Sequence, residues 1–210
     1  MSLLQLVLSV RGPVAPPCGE TTPFRSSSEC RYCGAPIGRI LADLADETVA
    51  ACALCGLAQH LGRPRINEEA RLVWVPEMSQ AALNVLMRRI HTGLRSLGEP
   101  LETGAQPSLA VGDRTLLYHG QQGLLERTRE AEVRLGSSDP GHLADALVRL
   151  SAGAFARRDA LLGGIRLLPT GRLFEGGTDI YPDIVDSWRQ GGGSVLKSPA
   201  ILPARIEGTT

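Results

Sequence analysis

Near the start of the chain, Leu4, Leu6, Leu8 and Val10 of LLQLVLSV recur at every second position, which predicts a strand with one apolar face. The Gly/Pro-rich segment RGPVAPPCGETTP ends it. A β-branched and aromatic run, RLVWVP (Arg71–Pro76), predicts a second strand. The rhythm then changes to three and four. Leu83, Leu86, Ile90 and Leu94 share one face of a helix that Ser79 caps and that runs to about Leu97.

GEPLETGAQPSLAVG, Gly98–Gly112, is rich in Pro and Gly and marks an internal boundary. Beyond it the pattern is mainly helical. Gly123–Leu135 reads as one solvated helix. In SDPGHLADALVRL, Asp139 at N-cap and Pro140 at N1 open another. GAFARRDALLGG is a further helix stopped by Gly163-Gly164, IRLLP a short strand or extended link, and Pro182–Gln190 the last helix. The expected organisation is a module over 1–97, a linker over 98–112, a mainly helical region over 113–190 packing on the first, and a flexible tail over 191–210. No internal repeat is present.

The chain of 210 residues is 43% hydrophobic and 21% charged, so it is globular and long enough to bury a core. Aromatics are only 4%, so that core depends on Leu, Val, Ile and Ala. Lys+Arg and Asp+Glu are equal at 22 each, which removes any global field toward nucleic acid or an anionic membrane. Lys197 is the only lysine. Arginine suits bidentate recognition of carboxylate and phosphate, and GC-rich coding accounts for the bias equally well. Leu3–Val10 is too short to span a membrane and no basic leader precedes it, so the expected compartment is the cytoplasm.

The chemistry concentrates in CRYCGAPIGRILADLADETVAACALCGLAQHLG. Two Cys-x-x-Cys pairs, Cys30/Cys33 and Cys52/Cys55, are separated by 18 residues. Four thiols at this spacing in a reducing compartment point to a tetrahedral zinc site. Glycine follows each pair, at Gly34 and Gly56, where positive φ lets the backbone curl around the sulfurs in the manner of zinc ribbons and treble-clef sites. Two redox dithiols are the competing reading, but neither pair has the strand and helix of a thioredoxin site. A catalytic zinc keeps a position open and usually includes histidine or carboxylate; four cysteines close the shell, so the metal is structural. His60 follows Cys55 by five residues and reads either as a replacement ligand or as a packed histidine. Cys18 is left over, and His91, His119 and His142 sit in no nucleophile motif.

Taken together, CRYCG…ACALCGLAQHLG, LVWVPEMSQAALNVLMR (Leu72–Arg88), RRDALLGGIRLLPTGR and DIYPDIVDSW resemble the DotN/IcmJ proteins of Dot/Icm-type type IV secretion systems and their conjugative relatives. The similarity runs from the first strand to about Trp188. It implies an α+β fold: a degenerate HNH-like zinc-binding module with short strands, followed by a mainly helical C-terminal half. It further implies a subunit of the type IV coupling complex at the cytoplasmic face of the inner membrane. Such a subunit binds the C-terminal extension of a DotL-like coupling ATPase and works beside adaptors similar to IcmS and IcmW. Only Cys30, Cys33, Cys52 and Cys55 carry over by position, as zinc ligands.

An HNH nuclease needs a histidine base and metal-fixing histidine or asparagine between the cysteine pairs. The spacer GAPIGRILADLADETVAA has neither, only Asp43, Asp46 and Glu47. The expectation is therefore a protein that is not an enzyme. The alternatives are a zinc-ribbon nucleic-acid binder using Arg63, Arg65, Arg71, Arg88, Arg89 and Arg95, or an active HNH-type nuclease. Glu68, Glu69 and Glu77 offset those arginines, and no aromatics are interleaved, so nucleic acid is a poor fit. For a protein partner, Trp74 and Trp188 are the only tryptophans and lie in the segments that carry the resemblance. They are candidate anchors beside an apolar groove flanked by Leu72–Val75 and the helices after Gly112, or else ordinary core residues.

Overall fold

The structure, a computed structural model, describes residues 3–10, 29–37, 49–105 and 112–191. Cys18, Asp43, Asp46, Glu47, residues 106–111 of the linker and the tail beyond Gly191 lie outside the described residues. Helices dominate, joined by short antiparallel strands, so the mixed α+β character expected from the sequence holds.

The sheet that organises the core joins residues far apart in the chain. Strand β1 (Ala70–Trp74) pairs antiparallel with β2 (Ile165–Pro169), in a register that sets Leu72 opposite Leu167 and Trp74 opposite Ile165. Gly164 enters β2 at φ +95°, where a Cβ would stand 2.7 Å from Pro76 Cα, so only glycine lets the two strand ends close. The other edge of β1 is also met: Leu72 N–H donates to Ser138 O and Trp74 N–H to Arg127 O. These bonds come from around α5 (Thr128–Leu135), which packs on β1. The groove expected beside Leu72–Val75 is therefore filled by the chain itself.

Helix α3 (Gln80–Ser96) lies across the molecule. Ser79 Oγ accepts from Ala82 N–H, as an N-cap should. Leu83, Met87, Ile90 and Leu94 are buried, while Leu86 is half-buried at the edge of the stripe. The helix packs on β2, on α4 (Asp113–Glu126) and on α9 (Tyr181–Gly191). Leu83, Leu72, Val73, Leu168, Ile184 and Val185 lie at the centre of the core.

Three expected elements differ and one unexpected element is present. Leu3–Val10 forms no continuous ladder: Leu4 N–H donates to Arg31 O, Ser9 N–H to Ala58 O, and Val10 makes a lone bridge with His60. These few contacts are divided between Arg31 and residues 58–61, so no strand propagates, although Leu6 and Leu8 are buried. The helix expected over Gly123–Leu135 is broken at Arg127, whose carbonyl also accepts from β1. The helix after Ser151 is two short turns, α7 (Ala152–Ala156) and α8 (Arg158–Leu162), preceded by α6 (Pro140–Val148). A hairpin, β3 (Phe174–Glu175) and β4 (Thr178–Asp179), was not expected. Its turn is Gly176-Gly177, and Asp179 Oδ1 then accepts from Leu173 and Tyr181 N–H groups at the start of α9.

Two polar clusters lock these elements. Glu69, fully buried before β1, accepts from Arg63 Nε at 2.7 Å and Nη2 at 2.8 Å, and from Phe174 N–H at 2.9 Å. Buried His91 on α3 lies 2.5 Å from the Tyr181 hydroxyl and 3.1 Å from Gln121 Nε2 on α4. With Gln121 donating to Nε2, the neutral ring carries its proton on Nδ1 and donates to Tyr181. Burial holds the His91 pKa down at about 3. Its contribution is complete above an unfolded pKa near 6.5 and is lost as pH falls toward 3, at about 1.4 kcal/mol per pH unit. His91→Gln should therefore lower stability at neutral pH yet flatten the loss between about pH 6.5 and 5. Urea midpoints for both proteins across that range measure the difference.

Candidate metal centre

The two cysteine pairs reach one point by different local structures. Glu29 and Pro36 bridge antiparallel, so Cys30–Gly34 forms the tip of a tight reversal. There Cys30 N–H donates to Ala35 O and Gly34 N–H to Cys30 O, with Gly34 at φ +69°. This is the curl that the sequence predicts for the first pair. The second pair is different. Cys52 is the N-cap of α1 (Ala53–Gln59) and Cys55 lies in its first turn. Gly56 is inside that helix, its N–H donating to Cys52 O, and does not take positive φ. Helix geometry places these sulfurs one turn apart, so the expectation of a second glycine curl is corrected.

All four sulfur atoms lie within 4.8 Å of one another. Cys33 and Cys52 are 3.7 Å apart. Cys30, Cys52 and Cys55 are buried, and Cys33 is half-buried. Hydrogen bonding to Cys33 pulls the Cys30 thiol below its ordinary range. Hydrogen bonding with Cys30, reinforced by burial, pushes Cys52 and Cys55 well above theirs. The quartet titrates as one unit in which protons are retained and shared. A thiophilic dication replaces those protons, and the all-sulfur donor set suits zinc.

The surroundings come from α3 and the knuckle. Asn84 Nδ2 stands 3.4 Å from Cys55 Sγ. Arg88 Nη1 donates to Pro36 O at 2.7 Å, and its guanidinium lies 4.9 Å from the centre of the Trp188 ring. Burial pulls the Arg88 pKa down, and the four sulfurs act in the opposite sense. His60 turns its Nδ1 to Gly56 O at 2.8 Å and is not among the clustered ligands.

The other candidates are dispersed. Trp188 is 3% exposed, edge-on to Tyr181, a core position. Trp74 is half-buried; its Nε1 donates to Gly163 O and Arg134 lies over its ring at 4.0 Å. Val133 and Leu135, beside Arg134, are exposed. Of the six arginines considered for nucleic acid, Arg63 pairs with Glu69, Arg65 with Glu68, Arg71 with Asp139 and Arg95 with Asp186. Arg88 is turned to Pro36 O and Arg89 is exposed, so among the described residues four of the six are offset by a paired carboxylate. A pair the sequence did not single out, Ser137 Oγ and His142 Nδ1 at 2.8 Å, is exposed, and Ser137 Oγ also accepts from Asp139 N–H. It closes the turn into α6. Among the described residues no helix is long and apolar enough to cross a membrane.

No family model and no curated protein matches the sequence.

The quartet should bind one dication per chain with four thiolate bonds. Cobalt loading should give the strong visible bands of a tetrahedral tetrathiolate, and Cys55→Ser should abolish stoichiometric uptake. Because metal displaces retained protons, affinity should fall as pH falls and uptake should acidify a weakly buffered solution. Metal content after gel filtration, titrated against pH, checks both.

Proposed function

We propose that the quartet holds a structural zinc ion and that the protein is a non-catalytic subunit of a type IV secretion or conjugation coupling complex. The observation that carries the non-catalytic part is the donor set. Four sulfurs already converge, three of them buried, so the ion has no position left for an activated water. A knuckle joined to a helix N-terminus supports a degenerate treble-clef, HNH-like module. The spacer between the pairs lacks histidine and asparagine, which removes the base such a nuclease requires.

The assignment to a coupling complex follows from the resemblance of Leu72–Arg88 and the flanking segments to DotN/IcmJ proteins. On that reading the partner is the C-terminal extension of a DotL-like coupling ATPase, with IcmS/IcmW-like adaptors nearby, at the cytoplasmic face of the inner membrane. The surface we assign to an amphipathic helix centres on Trp74, under Arg134 of α5, the helix on which Val133 and Leu135 are also exposed. Trp188 acts from beneath, as part of the core that holds α3 and α9. The paired arginines argue against a nucleic-acid role.

In a pull-down with the ATPase extension as bait, the parent protein should be retained. Trp74→Ala and Val133→Glu, with unchanged metal content, should each weaken retention roughly tenfold or more, as hot-spot losses do. Full retention of both variants refutes this surface. Magnesium-dependent cleavage of plasmid DNA by the purified protein refutes the non-catalytic assignment.

A further inference from the structure

One face of α3 carries three polar residues, Gln80, Asn84 and Arg88, each four positions from the last and therefore stacked along one stripe. Gln80 and Asn84 are buried. An apolar residue at 84 would fill the same space without the desolvation that a buried amide requires. The amide is present, and its donors and acceptors are fully determined.

Leu167 N–H donates to Gln80 Oε1 at 2.7 Å, which fixes that atom as the acceptor. Gln80 Nε2 then donates to Leu167 O at 2.9 Å and, with its second hydrogen, to Asn84 Oδ1 at 2.9 Å. Asn84 is thereby oriented. The atom it turns to Cys55 Sγ, at 3.4 Å, is Nδ2, which only donates. One turn further, Arg88 Nη1 holds the Pro36 carbonyl at 2.7 Å, in the arm that closes the knuckle. That bond holds the guanidinium beside the reversal that carries Cys30 and Cys33. A dication among four thiolates carries two net negative charges, and this guanidinium is a cation placed against them.

We propose that Asn84 and Arg88 are positioning residues of the metal centre, which Gln80 aligns from β2. The Asn84 N–H draws electron density from the Cys55 sulfur, and Arg88 offsets the charge of the metal–thiolate unit. Together they make the site slow to release its ion. The inference rests on the reading that the quartet binds a dication.

The test uses the full chain loaded with zinc and mixed with a chromogenic chelator, and the same chain loaded with cobalt. Asn84→Leu and Arg88→Gln should each speed zinc release about tenfold or more, the scale of outer-shell losses at metal sites. Arg88→Lys, which keeps the charge, should stay near the parent. In the cobalt form, Asn84→Leu should move the sulfur-to-metal charge-transfer band to lower energy, because a sulfur without its N–H donor holds its electrons less tightly. A packing role alone would leave that band in place. Asn84→Asp is the second variant should the leucine form fail to fold: it still accepts from Gln80 but sets an anion against Cys55, so it should release zinc faster than the parent. Release at the parental rate in Asn84→Asp and Arg88→Gln, with an unmoved band, overturns the inference while the metal reading stands. A parent chain that takes up no zinc and no cobalt overturns both, and the stoichiometry of the parent alone separates the two failures.

Discussion

Four sulfur atoms within 4.8 Å cannot all be anionic in a buried setting unless a cation lies among them. That constraint governs the N-terminal part of the molecule. Segments 3–10, 29–37 and the start of α1 share isolated bridges and single backbone bonds rather than ladders. Their apolar contribution is modest: Leu6, Leu8, Tyr32 and Ile37 supply most of what is buried before residue 49 among the described residues. Segments with so few mutual hydrogen bonds gain little from cooperativity, and the entropy of fixing them is large. A metal ion held by the four sulfurs would tie Cys33 to Cys52 and supply what the core there does not.

Helix α3 connects this region to the rest. Its polar stripe joins β2 at Gln80 to Cys55 at Asn84, and His91 reaches α9 and α4 through Tyr181 and Gln121. Arg95 continues the connection with a bidentate pair to Asp186 on α9. Because β1 precedes α3 and β2 lies more than sixty residues after it, the sheet can form only when these two distant segments meet beside this helix. The metal quartet and the sheet therefore address one rigid element from two sides.

Much of this was legible in the sequence wherever the pattern was local. The Ser79 cap, the buried positions Leu83, Ile90 and Leu94, and strands at RLVWVP and IRLLP all follow from spacing and side-chain type. The sulfur quartet follows from the Cys-x-x-Cys spacing. What was not legible depended on contacts between distant segments. The break at Arg127 coincides with its carbonyl serving β1, and Leu3–Val10 forms no strand because its few backbone bonds are divided between Arg31 and residues 58–61. Gly56 looked like Gly34, yet a helix had already placed the second pair. The β3–β4 hairpin did carry a signal, the Gly176-Gly177 turn between short flanking runs. Asn84 gave none, since an asparagine in a helix interior announces nothing about sulfur 29 positions earlier.

The arrangement of charge bears on what kind of partner the protein suits. Basic and acidic residues are equal in number, and among the described residues many of the arginines are committed to specific pairs. Exposed pairs of this kind add little stability. Their effect is to offset the local field of each paired arginine among the described residues. Recognition must then come from shape and apolar contact at short range. Trp74 offers the means: its indole N–H is satisfied internally by Gly163, one ring face is covered by Arg134, and exposed aliphatic residues flank that arginine. A partner helix that displaced the guanidinium would gain the aromatic face without leaving a polar atom of Trp74 unpaired. Apolar contact of this kind is indifferent to charge on the partner and leaves the internal hydrogen bond of Trp74 intact.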